Sequence, residues 1–480
     1  MIERVVEVLI YVTLVASLAV PLIYSFGVRR VRVHLAIAFA STILYTIAGV
    51  ILLSLAGNGQ VRFYNGLVVH DSFTSAMVLG SGLTALLVLM SIERKASYWS
   101  THPALYSLLP LTLFGVFYLA GAMDTLVVLA GWLLVSVISY VIVALPDDLD
   151  SAVASSRYIM VGAVATLLIG LWAASNVVVA SSVGLEGFRL SSYTDDKISA
   201  LAFTAIIAAL GFKVGVAPFH WWLPSVYGRG DGRVIAVVAG IAKLGFIAVI
   251  ARIIVEASRS PLAYAGVPAS KYIAAGLAAL AVATMTYGNI AALTPRNVQA
   301  ILAYSSIAQV GYILVGLSAA AYFADTSPEA TSIALAAVAL QSIAYALAKA
   351  PLFAMIPEAG RDLADLKKLA ARGRGVTLAV MMLILSLLGL PPLLGFWGKL
   401  YLFLAAAGYS LLLVAIALVN SGISSAYYIR MIREMLRTEQ AGEKAEITDT
   451  TEASLIIAAI LITLLGITAP LLIQSFAPTI

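Results

Sequence analysis

The sequence predicts an all-α polytopic membrane protein with about 14 transmembrane helices. Hydrophobic residues make up 62% of the 480 residues, and charged residues make up only 11%. The mean hydropathy of +1.01 lies far from the balance of a soluble domain. Apolar runs of about 18 to 25 residues recur along the chain, and each is long enough to cross a bilayer. We therefore expect a single membrane domain over residues 1–480.

The apolar runs also give the order of the spans. No small-residue cleavage site follows the first run, so we interpret it as a retained helix and not as a removed signal peptide. The predicted spans lie near residues 5–26, 34–56, 73–93, 104–121, 124–145, 156–180, 198–218, 232–255, 270–293, 298–319, 331–356, 376–405, 409–435 and 453–475.

Lysine and arginine are divided unevenly between the two sides of the predicted membrane. When the loops are assigned alternately down the chain, about 18 basic residues fall on one side and about 6 on the other. Because basic loops face the cytoplasm, we expect both termini outside it, in a protein of the cell membrane. Topology thus explains the net charge of +5, and we expect no nucleic acid as a partner.

The residue types present do not point to a redox cofactor or a metal. Without cysteine, iron–sulfur clusters and thiolate-bound haem are excluded within this chain. Only one histidine, His220, adjoins a span in the middle of the chain, whereas membrane haem commonly needs a histidine pair. The segment "GFWGKL" at 395–400 lacks the Ser/Thr and the upstream glycine of a phosphate-binding loop. We therefore expect no cofactor and no metal site in this chain.

Four lysines lie inside predicted spans: Lys213, Lys243, Lys349 and Lys399. A lysine at the centre of a bilayer costs about 2.5–3.5 kcal/mol on insertion scales. A single one could snorkel or hold a neighbouring helix, but four together favour a hydrated interior where lysines load and release protons. We expect them at similar depth, as an axis parallel to the membrane. Arg252, near the end of a span, is interpreted as a snorkelling residue.

Two of these lysines stand beside predicted helix breaks. The segment "GVAPFHWWLP" follows Lys213, and "GLPPLLGFWGK" leads up to Lys399. Broken helices are tolerated at membrane depth only where they line a cavity or are buried in protein. Corresponding breaks in the two halves predict an internal repeat, with residues 104–255 as the first copy and 270–435 as the second.

The residues of the first break add further expectations. His220 could relay protons between Lys213 and Lys243, since its unperturbed pKa is near 6.5, or it could cap backbone carbonyls. Trp221 and Trp222 are predicted to anchor at a membrane interface.

Five long segments of the chain carry a family resemblance. They are "GFKVGVAPFHWWLPSVY", "AKLGFIAVIAR", "ILAYSSIAQVGYILVGL", "SLLGLPPLLGFWGKLYLF" and "VNSGISSAYYIRMIREML". In this order they resemble the antiporter-like subunits of respiratory complex I, most of all subunit N, over about residues 60–440. The resemblance implies two inverted five-helix repeats and proton translocation driven by quinone chemistry in other subunits. It also implies other membrane subunits as partners.

The resemblance assigns roles to individual residues. The family's broken-helix lysine corresponds to Lys213, the lysine of the next helix to Lys243, and that of the second broken helix to Lys399. The last favours the N-type subunit, or the related D-type subunit of Mrp cation/proton antiporters, over the M-type subunit, which carries a glutamate there. Tyr427 and Tyr428 in "SSAYYIR" favour the N-type again.

The sequence departs from the family around the first break. Family members usually carry a glutamate in the fifth helix, nine residues after an aspartate, and here Leu133 follows Asp124 at that spacing. We therefore expect no carboxylate of this chain beside Lys213, and partners drawn from water, His220, hydroxyls or backbone carbonyls. Elsewhere Gln309 stands where many N-type subunits have histidine.

We interpret the chain as a non-redox, proton-translocating subunit of a complex I-like quinone oxidoreductase that uses NADH or another donor. Lys349 in "YALAKAPLFAM" is closer to the L-type and M-type subunits and to the D-type antiporter subunit, which keeps a sodium/proton antiporter open as an alternative. A second alternative is a scaffold subunit that has lost conduction, motivated by Leu133.

Overall fold

Helices form nearly all of the secondary structure. The computed structural model describes residues 2–92, 99–183, 197–259, 263–264, 266–437 and 445–478. Its first part contains six long helices and one hairpin. They are α1 (Ile2–Ser25), α2 (Val31–Ala56), β1 (Val61–Phe63), β2 (Val68–His70), α3 (Ser72–Ile92), α4 (His102–Gly121), α5 (Thr125–Ala144) and α6 (Leu149–Val183). β1 and β2 pair antiparallel.

The middle of the chain alternates short and long helices. They are α7 (Lys197–Val214), α8 (Leu223–Tyr227), α9 (Gly232–Ala236), α10 (Lys243–Ser258), β3 (Ala263–Tyr264), β4 (Val267–Pro268), α11 (Ala269–Ala291) and α12 (Val298–Phe323). A π-helical turn over Val237–Ala242 joins α9 to α10, so that residues 232–258 cross as one span.

The last part begins with a 32-residue helix and contains a second pair of short helices. They are α13 (Pro328–Ala359), α14 (Lys367–Arg372), α15 (Arg374–Leu388), α16 (Leu394–Ala407), α17 (Leu411–Met435), α18 (Asp449–Ile467) and α19 (Ala469–Phe476). A 3-10 turn over Leu363–Leu366 precedes α14.

The polytopic all-α fold is confirmed. In the part of the chain that the structure describes, twelve helices are long and apolar enough to cross a membrane. The two other predicted spans, 198–218 and 376–405, fall on shorter apolar helices, which are α7 and the pair α15 and α16. These are the two regions where proline predicts a break. The repeat boundaries stay a prediction.

Burial is concentrated in three spans, two of which carry predicted site residues. The span Gly232–Ser258 is buried over its whole apolar window, and nearly nine-tenths of the windows of α12 and α13 are buried. In α1 and α17 only a third is buried. α13 packs against α3, α9, α12 and α16, which makes it the centre of the bundle. Lys243 and Lys349 therefore lie inside protein and not against lipid.

An ion pair holds each end of the central span. Arg233 is buried and binds Asp231 through two nitrogens at 2.9 and 2.6 Å. At the other end, Arg252 binds Asp71 at 3.2 Å and the carbonyl of Val69 at 2.9 Å. The Arg252 guanidinium thus reaches the hairpin at the end of the span, where its charge is paired, and its snorkelling stays a prediction.

Candidate functional site

The first break positions Lys213 at the end of a half-helix. Gly215, with φ +87°, ends α7, and the Cδ1 of Leu223 packs over it, 2.6 Å from where a Cβ would lie. Glycine is favoured in this left-handed conformation. The carbonyl of Phe212, freed by the break, accepts a hydrogen bond from Trp222 Nε1 at 2.8 Å. The break is thus capped by a side chain, and Lys213 lies in the last turn before it.

Lys213 is surrounded by aromatic rings and one hydroxyl. Its Nζ donates to Ser139 Oγ at 3.2 Å and lies 4.4, 4.7 and 5.1 Å from the rings of Tyr140, Tyr158 and Phe246. The side chain is only 6% exposed. Among the ion pairs of the described residues, none involves Lys213. The expected hydroxyl partner is present, and the rings were not anticipated.

Leu133 does not face Lys213. It is 38% exposed on the outer side of α5, whereas Trp132, one residue earlier, is buried and meets the ring of Phe246 edge-on at 5.1 Å. A step of one residue turns a helical side chain by about 100°. The expectation that Leu133 occupies the position facing the lysine is therefore wrong. Asp124 caps the start of α5 by accepting from Leu126 N at 2.8 Å.

His220 and Trp222 lie away from their expected places, whereas Trp221 does not. The His220 ring packs on Tyr287 of α11 at 4.0 Å, and its Nδ1 has no hydrogen-bond partner. The described hydrogen bonds give it no contact with a lysine, so its relay role stays a prediction without geometric support. Trp221 is 62% exposed, as an interfacial anchor would be. Trp222 is fully buried and stacks on Tyr158 at 4.8 Å, so its predicted role as an interfacial anchor is wrong.

Lys243 follows the π-helical turn, near the middle of the central span. Its Nζ donates to Tyr345 Oη at 3.3 Å and lies 5.6 Å from the ring of Tyr227. π-Helical turns inside helices are frequent at functional sites. The turn also packs tightly, since a Cβ at Gly240 would lie 2.8 Å from Ala350 Cβ. Lys243 is therefore held against α13.

Lys349 shares a face of α13 with Tyr345, one turn away. It has no exposed surface, and its Nζ donates to the carbonyl of Leu302 at 2.7 Å and to the hydroxyl of Ser305. Because Lys243 of α10 binds Tyr345, both of these predicted site residues meet the same face of α13.

The second break positions Lys399. Gly389, with φ +93°, ends α15, and the amides of Gly389 and Leu390 both bond to the carbonyl of Leu385. Lys399, on the first turns of α16, reaches back to the free carbonyl of Leu388 at 2.8 Å. Its Nζ also lies 4.6 Å from the ring of Tyr312. Lys213 precedes its break and Lys399 follows its own.

Two glutamines to which sequence reasoning gave no role lie between the surroundings of Lys349 and those of Lys399. Gln309 lies one turn after Ser305 on α12 and donates to the carbonyl of Leu387 at 2.9 Å. That carbonyl precedes the one bound by Lys399. Gln341 donates to Gln309 Oε1 at 2.7 Å. The sequence did contain one signal for this role, because α12 and α13 are largely apolar and each carries a glutamine. A buried carboxamide is costly unless it is hydrogen-bonded.

A second buried network adjoins Lys399 through Tyr312. Asn289 Nδ2 donates to Tyr312 Oη at 3.0 Å, and Tyr427 Oη donates to Asn289 Oδ1 at 3.0 Å. Asn289 also donates to Asn420 Oδ1 at 3.2 Å. Between Lys213 and Lys243, by contrast, the described side chains in contact are rings: Tyr158 on Trp222, and Trp222 on Tyr227 at 5.9 Å.

The chain resembles known proteins over most of its length. Residues 122–424 match the sequence model of a family described as NADH:quinone oxidoreductase/Mrp antiporter, TM. The NADH-quinone oxidoreductase subunit N 2 of Symbiobacterium thermophilum is 31% identical, over 86% of this chain and 82% of the relative.

Solved structures show the same fold. One chain in the structure of respiratory complex I from Thermus thermophilus with bound aureothin has a TM-score of 0.78 and 25% identity, over 98% of this chain and 99% of that chain. One chain of the Mrp complex from a Dietzia species has a TM-score of 0.82 and 20% identity, over 98% and 96%. The protein thus belongs to the transmembrane family of NADH:quinone oxidoreductase and Mrp antiporter subunits.

Proposed function

We propose that this chain is a proton-translocating membrane subunit of a complex I-like quinone oxidoreductase in the cell membrane. The observation that carries the proposal is the set of four buried lysines, which hydrogen-bond to hydroxyls and backbone carbonyls and form no ion pair among the described residues. A lysine without a fixed counter-charge can change its protonation state without leaving a carboxylate unpaired. The similarity to subunit N of NADH-quinone oxidoreductase supports the same role.

The lysines act as carriers and the hydroxyls as relays. A tyrosine or serine hydroxyl can accept one hydrogen bond and donate another, as Ser305 beside Lys349 does by donating to the carbonyl of Leu302 at 3.0 Å. Two ammonium groups in a poorly screened interior repel each other, so a proton that arrives at one lysine favours proton loss from the next. Protons therefore move along the axis as neighbouring lysines are protonated in turn. A carboxamide such as Gln309 organises the hydrogen bonds without carrying a proton itself.

The breaks supply fixed polar groups at the two ends of the axis. A helix interrupted inside the membrane leaves carbonyls that no intrahelical amide satisfies. At the second break Lys399 uses one of them, Leu388 O, as its acceptor. Water that reaches such a carbonyl would also reach the ammonium, so the break is the point where we expect exchange with one side of the membrane.

Redox chemistry takes place in other subunits under this proposal, and the partners are the neighbouring membrane subunits, the lipid bilayer and protons. Exposed apolar side chains on α1, α6 and α17 supply surfaces for these contacts, among them Val15, Leu167 and Leu412. The excess of basic loops on one side is the reason to place both termini outside the cytoplasm.

The second candidate is the D-type subunit of a multisubunit sodium/proton antiporter. It is favoured by the family description, which covers both assemblies, and by the fold shared with the Mrp complex. The third candidate is a non-conducting scaffold subunit, whose motive is that Leu133 stands where the family usually has a glutamate and that Lys213 has no carboxylate partner among the described residues.

The test is to purify the native complex through a tag on this chain and to reconstitute it in liposomes. Co-purification of quinone-reactive subunits, with uncoupler-sensitive acidification driven by quinone reduction, supports the proposal. Sodium-dependent proton exchange driven by a sodium gradient, without quinone reductase subunits, supports the antiporter instead. If neither condition gives acidification, the scaffold subunit is the remaining candidate.

A further inference from the structure

Lys213 differs from the other three lysines in the number of rings around it. Tyr140 of α5, Tyr158 of α6 and Phe246 of α10 all lie within 5.1 Å of its Nζ, measured to their ring centroids. Lys243 has two rings, at 5.1 and 5.6 Å from its Nζ, whereas Lys349 and Lys399 have one each, at 5.9 and 4.6 Å. We call Tyr140, Tyr158, Phe246 and Ser139 the Lys213 cage.

The cage residues come from three helices, α5, α6 and α10, of which α6 and α10 pack against α7. Among the described residues, the titratable groups that face the ammonium from these helices are Tyr140 and Tyr158, and α10 contributes only a phenyl ring. Tyr158 Oη also lies 3.2 Å from Ser139 Oγ, so the hydroxyl that binds Lys213 is tied to the cage. An ammonium over the face of an aromatic ring is attracted to the ring's negative quadrupole.

A row of unpaired polar atoms continues from the cage along the inner face of α5. Trp132, Ser136 and Tyr140 are four residues apart and therefore lie on one face. All three are at least nine-tenths buried, and Trp132 Nε1, Ser136 Oγ and Tyr140 Oη have no hydrogen-bond partner of good geometry. Buried polar groups without protein partners are commonly satisfied by ordered water.

The helix opposite this row leaves room for it. An added Cβ at Gly162 of α6 would lie 2.0 Å from Tyr140 Oη, so only glycine accommodates the hydroxyl. The hydroxyls of Ser136 and Thr166 lie beside Tyr140 Oη, so the polar atoms of this row adjoin one another.

We propose that the Lys213 cage is the charge partner of Lys213 in place of a carboxylate, and that water held by Tyr140, Ser136 and Trp132 is the group with which the ammonium exchanges its proton. The rings attract only the protonated lysine and cannot take its proton. The cage thus positions the charge, and the water row supplies the acceptor. The role of Lys213 as a carrier rests on the proposed function, whereas the cage itself does not.

The test is a pH titration of lysine Nζ by solid-state NMR of the intact complex with 15N-labelled lysine. The signal of Lys213 is assigned by its loss in Lys213→Met. In Phe246→Leu one ring is removed, and we expect the titration midpoint of Lys213 to move to lower pH by about half a unit to one and a half units. Tyr158→Phe keeps the ring and is expected to change the midpoint less.

The matched control is Val137→Ala, which alters the lipid-facing side of α5 at a 53% exposed residue. It should leave the midpoint of Lys213 unchanged. If Phe246→Leu does not assemble, the native complex answers the question through 15N–13C contacts between Lys213 Nζ and the ring carbons of labelled Phe and Tyr. An unchanged midpoint in Phe246→Leu, or native Nζ without ring contacts, overturns the cage.

The water row has its own readout. Tyr140→Phe keeps the ring and removes one unpaired hydroxyl, so the exchange of Lys213 Nζ protons with water should slow several-fold while the midpoint stays close to its native value. Unchanged exchange would reject the water row. Normal pumping after loss of Lys399 would reject the proposed function and leave these NMR results standing, so the two failures can be told apart.

Discussion

A methyl group added at Gly398 tests the packing of the axis without touching any lysine. Gly398 lies on α16, beside Lys399, and faces Gln341 of α13. An added Cβ would lie 2.5 Å from Gln341 Oε1, 2.8 Å from its Cα and 3.0 Å from its backbone nitrogen. Two of these are backbone atoms, which cannot rotate away. Gly398→Ala must therefore push α16 and α13 apart.

The expected destabilisation follows from two opposing effects. Overpacking a buried contact costs about 1–3 kcal/mol, whereas alanine in place of glycine within a helix gains up to about 1 kcal/mol. Gly422 on α17 is the matched control, because an added Cβ there meets nothing within 4 Å. Gly422→Ala carries only the helix gain. The difference between the two variants isolates the overpacking, about 1–3 kcal/mol.

The assay measures the thermal stability of the complex and the number of protons translocated per electron. Thermal unfolding of the purified complex should begin at a lower temperature in Gly398→Ala than in Gly422→Ala. The separation of the helices should also weaken the bond from Gln341 to Gln309, and we expect fewer protons translocated per electron at a normal rate of quinone reduction. Equal unfolding temperatures and equal stoichiometry in the two variants would refute the packing of α13 against α16.

Further predictions address single interactions of the central helices. Asp231→Asn removes the partner of buried Arg233 and should destabilise the chain by about 3–5 kcal/mol, measured as lost assembly of the complex; assembly at native levels would contradict this. Tyr345→Phe removes the hydroxyl bound to Lys243 and should slow pumping several-fold, with quinone reduction as the parallel measurement. Gln309→Leu leaves its glutamine partner buried and unpaired, a cost of about 1–3 kcal/mol that thermal unfolding should detect.

The sequence predicted the helices well, because a membrane span is recorded as an apolar run of fixed minimum length. It also predicted both breaks, since proline and glycine interrupt the helix locally, at Gly215 and Gly389. The four lysines could be selected because a charged side chain inside an apolar span is energetically costly and therefore points to a function. These are local or compositional signals, and each can be read without knowing which helices are neighbours.

The rest depended on helical phase and on contacts between distant segments. A nine-residue spacing from Asp124 pointed to Leu133, but the inner face of α5 carries Trp132, Ser136 and Tyr140. Likewise, Trp222 reads as an interfacial residue until the fold places it against Tyr158. No sequence pattern reveals such pairs, because their partners come from helices far apart in the chain.

Connections between lysines were hidden for the same reason. Gln309 and Gln341 lie on different helices, and each taken alone looks like an isolated polar side chain. Only the packing of the helices shows that Gln309 donates to the carbonyl of Leu387, which is next to the Leu388 carbonyl bound by Lys399.

The central claim is that the buried lysines carry protons, and the proton-to-electron ratio of Lys399→Met tests it most directly. The control is Lys271→Met, which removes a partly exposed lysine paired with Asp325 at 3.6 Å, a pair worth little to stability. Both complexes should assemble and reduce quinone. We predict that Lys399→Met loses most coupled proton translocation while Lys271→Met retains it. A native ratio in assembled Lys399→Met would contradict the account.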